Sequence, residues 1–138
     1  MHVVSTNHPS LRFPTKETFR TVNSVLRGEQ KKKLSVSVVF THRRFIRKLN
    51  KMFLHHDATT DVIAFRTDAD TGVDGEIYIN LDRARSQARQ YQVSYRNETQ
   101  RLLIHGTLHL LGCNDASTKQ RNSMLKRENH YLSMLEKP

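Results

Sequence analysis

A mixed four-stranded sheet covered by about five helices, in a single α+β domain spanning residues 1–138, is the fold this sequence predicts. Three observations lead there. Runs with β-branched residues and a two-residue apolar alternation occur only before residue 82. Stretches with a 3.6-residue apolar stripe separate those runs and then fill the rest of the chain. No repeat, low-complexity tract or Pro/Gly-rich linker divides the 138 residues, and a chain of that length buries a core without disulfide staples.

Val3 and Val4 open a short strand. Pro14 and Thr15 start a helix to about Leu26, with Phe19, Val22, Val25 and Leu26 on one stripe, and Gly28 stops it. Leu34 to Phe40 is a strand. Thr41 is placed to cap the next helix, whose apolar face is Phe45, Ile46, Leu49, Met52 and Phe53. His55 to Thr59 is a loop, and Asp61 to Phe65 a second strong strand. An acidic turn region, Asp68 to Gly75, leads into a third, Glu76 to Leu81. Asp82 can cap a helix to about Tyr91, and Ser94 a longer one that ends at Leu111 before Gly112. Ser117 with Gln120 reads as a capping box for a last helix to about Leu135. Strands and helices in this order imply a mixed sheet with helical cover.

Charge narrows the partner. Twenty-three Lys and Arg against 13 Asp and Glu give a net +10, a balance that suits a polyanion because each cation near a phosphate releases a condensed counterion. The charge is uneven. Arg27 to Lys51 holds nine basic residues and one acid, whereas Asp57 to Asp82 holds seven acids and one base. The basic residues are interleaved with apolar ones at structural spacing, so they predict a folded basic face rather than a disordered tail. No stretch approaches the ~20 apolar residues of a membrane span. Met1 to Ser10 lacks the pattern of a signal peptide, and Cys113 is the only cysteine. These features point to the cytoplasm and away from a membrane partner.

The chemistry concentrates in His105-Gly106-Thr107-Leu108-His109-Leu110-Leu111-Gly112-Cys113-Asn114-Asp115. Helix positions four apart lie one turn apart on one face, so His105 and His109 can present two imidazoles to one metal ion. Gly112 ends the helix and lets the chain reverse, which can return Asp115 as a third ligand. Two imidazoles and a carboxylate suit zinc and leave a position for water, the arrangement of a catalytic site. Gly106 costs the helix about 1 kcal/mol, which implies close approach of another backbone or of substrate. The zinc-protease motif carries its general base directly after the first His, and here that position is glycine. No general base is apparent in the sequence, which leaves the catalytic residues unassigned.

The same segment resembles the signature of the YbeY family of bacterial metal-dependent endoribonucleases, H-G-x-L-H-L-x-G-(aromatic)-D-H. Leu49-Asn50, followed by Thr60-Asp61-Val62-Ile63-Ala64-Phe65, is similar to the family's L-N…T-D-V-L-S-F. Asp74 to Ile79 is similar to its G-D-I-x-I strand. The resemblance covers roughly Val36 to Leu135. It implies a single-strand-specific endoribonuclease acting in maturation of small-subunit ribosomal RNA and in ribosome quality control, with one zinc-type ion and the ribosome as its setting; a ribosomal protein is a candidate partner that the sequence does not identify. Three positions depart from the pattern. Asp115 stands where the family usually has His, Leu54 where many members carry an Arg, and Cys113 where an aromatic is usual. Asp115 keeps the ligand set and lowers its net charge by one. Cys113 reads as a small packing residue that could also serve as a soft ligand. For RNA contacts the candidates are Arg43, Arg44, Arg47, Lys48 and Lys51, with His55 and His56 in place of the missing Arg. Asp61 could orient a ligand histidine through its second ring nitrogen, or cap a turn. The other reading is a non-catalytic RNA-binding ribosome-assembly factor whose metal is structural.

Overall fold

The computed structural model describes residues 2–55, 57–68 and 72–136. The elements, in order, are β1 (Val3–Thr6), α1 (Thr15–Gly28), β2 (Val36–Thr41), α2 (Arg43–Phe53), β3 (Val62–Arg66), β4 (Gly75–Asn80), α3 (Leu81–Tyr91), α4 (Tyr95–Leu110) and α5 (Thr118–Glu136). Four strands form one sheet in the order β1-β2-β4-β3. β1, β2 and β4 run parallel, and β3 pairs antiparallel with β4. This is the mixed α+β arrangement the sequence predicts. β3 is an edge strand, hydrogen-bonded on one side only.

Alternation sorts the strand residues onto two faces. Val36, Val38, Phe40, Ile77 and Ile79 share a core with Val22 and Leu26 of α1 and Leu102 and Leu103 of α4. On the other face Ile63 meets Ile46 and Leu49 of α2, flanked by Phe45, Phe65 and Tyr78. α5 closes the outer side of α4, where Met124, Tyr131, Leu132 and Leu135 pack with Val25, Ile104 and Leu108.

Two caps differ from the sequence expectation. His42, not Thr41, caps α2, its Nδ1 accepting from the Phe45 amide at 3.3 Å. The strand keeps Thr41 because that residue is paired in register with Asn80. Asn80, not Asp82, caps α3 and accepts from the Arg83 amide at 3.1 Å. Asp82 is otherwise engaged. Its Oδ1 meets Nε2 of the buried His8 at 2.8 Å, and its Oδ2 accepts from the Arg43 amide at 3.1 Å. His2, His8 and His42, which show no pattern in the sequence, are thus structural, since His2 also bridges Asn23 and the Val36 amide. The other expected caps are present. Ser94 starts α4, and Ser117 and Gln120 bond reciprocally before α5.

Candidate metal centre

α4 lies across the sheet with its last two turns over β3 and β4, and Gly106 makes that approach feasible. A Cβ at this position would lie 2.8 Å from Ile77 Cγ2 and 3.0 Å from Val62 Cγ2. Any larger side chain would lift the helix from the strands, which accounts for the mid-helix glycine. At the helix end the Gly112 amide bonds the His109 carbonyl (3.0 Å) and the Cys113 amide the Leu108 carbonyl (3.0 Å), with Gly112 at φ +95°. This is the paired 5→2 and 6→1 closure that turns a chain back along its own helix.

The reversal brings Asp115 over the two histidines. Its Oδ2 lies 3.3 Å from His105 Nε2 and 3.3 Å from His109 Nε2. The three donor atoms lie within 4.8 Å of one another. Ligand arms of ~2.0–2.1 Å at tetrahedral angles put donors about 3.3–3.4 Å apart, so two edges already match a zinc polyhedron. The rings are 4.7 Å apart, centre to centre. All three side chains are partly open to solvent.

Behind the donors is a residue that sequence reading missed. Glu128 of α5, 6% exposed, accepts from His105 Nδ1 at 2.6 Å through Oε2 and from Arg101 at 2.9 Å through Oε1. Arg101 also donates to Asn129 Oδ1. With Nδ1 donating, His105 keeps its Nε2 lone pair aimed at Asp115, the tautomer a metal needs. Burial works against charging this imidazole. The hydrogen bond and charge of Glu128 outweigh it, helped by Asp115 and Asp61, so its pKa lies above the usual value. Glu128 was legible only as an acid on the apolar stripe Met124, Glu128, Tyr131, Leu132, Leu135. Asp61, the sequence candidate for orienting a histidine, instead accepts from Gln87 (3.4 Å) and, by its carbonyl, from the Asn80 amide. Cys113 packs against the α5 core and accepts from Arg127 at 3.0 Å. Among the described residues it is not one of the grouped donors.

A groove of about 440 Å³ runs from His109 along the free edge of β3 to the end of α2. Phe53, Leu54, Val62 and Phe65 make it apolar, and Asn50 and Thr60 supply its polar atoms. Asn50, 7% exposed, donates to the Ala58 carbonyl, and Asn80 to the Thr60 carbonyl, so the wall between α2 and β3 is pinned twice. Leu54, at the position of the family's Arg, forms an apolar rim. Met52 and Phe53, expected on the buried face of α2, are more than half exposed, as is Leu54 beyond the helix end.

Arg43, Arg44, Arg47, Lys48 and Lys51 stand exposed on α2, and His55 follows in the left-handed conformation at φ +57°. His56 lies outside the described residues. Arg47 is engaged by Asp57 at 2.7 Å. The basic run is divided by the fold. Lys31, Lys32 and Lys33 precede β2, at the opposite end of a strand about 17 Å long from Arg43, and form no part of the α2 surface.

Two imidazoles one turn apart, a returning carboxylate and a second-nitrogen carboxylate partner, laid over an α+β sheet beside an open groove, define a candidate mononuclear metal centre of the kind hydrolases use. Comparison with known proteins supplies the family. The profile described as Endoribonuclease YbeY matches residues 4–136, and the chain belongs to the endoribonuclease YbeY family. An endoribonuclease YbeY of Chloroherpeton thalassium is 36% identical over 135 residues, 98% of this chain and 96% of that protein. One of Chlorobaculum tepidum is 42% identical over 101 residues, 73% of this chain and 74% of that protein. The solution structure of a Thermotoga maritima protein shares the fold, with a TM-score of 0.65 at 22% identity over 98% of this chain and 89% of that one. No helix among the described residues is long and apolar enough to cross a membrane.

Proposed function

We propose that this chain is a zinc-dependent endoribonuclease that cuts single-stranded RNA at the His109 end of the groove. Its physiological substrate is ribosomal RNA, and its setting is the cytoplasmic ribosome, including ribosome quality control. One observation carries the reading: a single carboxylate oxygen, Asp115 Oδ2, stands 3.3 Å from two Nε2 atoms, and one of those two rings, His109, lines an open groove. When bound, zinc at these atoms supplies Lewis acidity to a phosphoryl oxygen and lowers the pKa of a water.

The chain's own residues do the rest. Glu128 fixes the tautomer and tilt of His105. Phe53, 59% exposed and 6.2 Å from the Phe65 ring, offers a stacking face for an unpaired base, which favours single strands over duplex. Arg43, Arg44, Lys48, Lys51 and His55 hold backbone phosphates without reading sequence. Arg47, already satisfied by Asp57, contributes less.

The test is cleavage of single-stranded RNA by metal-stripped and zinc-reloaded protein, comparing wild type with His109→Ala. Reloaded wild type is expected to cut. His109→Ala is expected to fall to background with RNA affinity within about twofold, since the lost group acts on turnover. A reloaded wild type that binds a range of single-stranded and ribosomal RNAs yet leaves them intact would replace the enzyme by a passive assembly factor.

A further inference from the structure

β2 and β4 are parallel neighbours paired Thr41 to Asn80, and each hands the chain to a helix at that rung. Arg43 opens α2 and Leu81 opens α3. Between the two helix starts and the turn at Thr59 lies a second cleft of about 410 Å³, lined by Arg43, Arg83, Arg85 and Arg89 with Thr59 and Ser86. Crevices outside the carboxyl ends of parallel strands are recurrent ligand sites, and both helix dipoles add positive potential here.

The cleft is cationic beyond what solubility requires. Its one acid, Asp82, is spent on His8 and the Arg43 amide. Arg83 donates to the Thr59 carbonyl at 3.3 Å. Among the described residues, the guanidinium groups of Arg43, Arg85 and Arg89 make no ion pair within 4 Å, in contrast to Arg47, Arg96, Arg101 and Arg127, although the charge of Arg43 is felt by Asp82. Arg85 and Arg89 stand one helical turn apart on the same face of α3, where like charges repel. Three of the four arginines come from α3, a segment whose basic residues are scattered in the sequence.

The cleft also adjoins the groove of the metal centre. Thr60 lines that groove with His109, and its neighbour Thr59 lines the arginine cleft. Thr59 and Thr60, adjacent in the chain, thus form a wall common to the two clefts.

We propose that the Arg43–Arg83–Arg85–Arg89 cleft is a second RNA site, which grips the phosphodiester backbone of the single strand flanking the scission point. The inference rests on the endoribonuclease reading for its substrate and names where the rest of that strand lies. Backbone contacts of this kind position RNA and carry no sequence preference. The cleft therefore matters for long RNA and not for a fragment that fills the groove alone.

The experiment compares Arg85→Ala/Arg89→Ala with wild type and with Lys32→Ala/Lys33→Ala, which removes equal charge at the opposite end of β2. Both arginines are exposed and alanine favours helix, so the fold is expected to persist, checked by thermal melting. Binding of labelled single-stranded RNAs of about 5 and about 20 nucleotides is measured over a salt series in chelator, and cleavage of both after zinc loading. In the arginine variant the long RNA should bind about tenfold more weakly, with a salt slope flatter by about 1.4, roughly 0.7 per lost contact. Its KM for the long RNA should rise at unchanged kcat, while the short RNA behaves as in wild type. The lysine variant should keep the wild-type slope. If the arginine variant retains wild-type affinity and slope for long RNA, or loses no more than the lysine variant, the cleft is not an RNA site, and the nuclease reading stands as long as wild type cuts. If the arginine variant loses affinity while wild type never cuts, the site holds and the nuclease reading falls. A wild type that binds neither RNA overturns both.

Discussion

The two ends of the nucleic-acid surface are built in opposite ways. At the metal end, His105 is held at Nδ1 by the buried Glu128, Arg101 holds Glu128, and Asn129 holds Arg101 in turn. At the arginine end, Arg43, Arg85 and Arg89 project from exposed helix surfaces, without ion pairs among the described residues. A metal ligand must sit within about half an ångström of its place, which demands packing and a satisfied polar neighbourhood. A phosphate contact works over a broad range of geometry and needs only charge and reach. The difference predicts that single substitutions near α4 act on affinity for metal and on folding. Those on α3 act on affinity for RNA and on its salt dependence.

The largest effect is expected at Glu128. Glu128→Ala removes the partner of Arg101 and the acceptor of His105 Nδ1 together. Breaking a pair this buried costs about 3 kcal/mol, read as a shifted denaturation midpoint. Glu128→Gln retains shape and a carbonyl acceptor but loses charge. It should weaken zinc binding, measured by chelator competition, by roughly 10–100-fold with a smaller loss of stability. Unchanged zinc affinity in a folded Glu128→Gln protein would mean that the metal end is no more supported than the arginine end.

Gly106→Ala is expected to cost less. The new Cβ meets Ile77 and Val62 side chains on two paired strands, and overpacking of that kind costs about 1–3 kcal/mol. Helix propensity returns about 1 kcal/mol, so a net loss of about 1 kcal/mol is expected in chemical denaturation. Any stabilisation would show that α4 has slack above the sheet and that Gly106 serves something other than close approach.

The same contrast explains what the sequence reveals. Elements specified locally are legible in it. Gly112 and the Ser117–Gln120 box end and start helices through bonds within a few residues, and the one-turn spacing of His105 and His109 fixes the side chains that share a face. Once that turn is known, Asp115 follows as the next acid along the chain. Features assembled across the fold are not legible. Glu128 meets His105 only because α5 packs on α4 in one register, and an acid on an apolar stripe is the sole trace. Arg83, Arg85 and Arg89 join Arg43 only because β4 inserts beside β2, so the basic run from Arg27 to Lys51 over-represents Lys31–Lys33 and omits α3. The cap of α2 shifts from Thr41 to His42 because Thr41 is claimed by its strand partner Asn80.

The smallest effect, and the one whose sign is most informative, concerns the other buried acid behind the metal end. Glu98 of α4 is 2% exposed and, unlike Glu128, rests on an amide: Gln87 Nε2 donates to its Oε2 at 2.8 Å. Burial holds its pKa above the ordinary value. Gln87 and Arg101 pull it back only in part, and Asp61 and Glu128 push it further up. A folded pKa above the unfolded one means that the native state binds this proton more tightly. The stabilisation is then fully present below the unfolded pKa and is lost as pH rises through the folded one. Glu98→Gln removes the charge while leaving an acceptor for Gln87. Its melting temperature relative to wild type should therefore improve as pH rises from about 4 to about 7. A difference that stays flat with pH, or moves the other way, would show that the negative charge at Glu98 is net favourable in the native state. The two buried acids would then support the metal end by the same means.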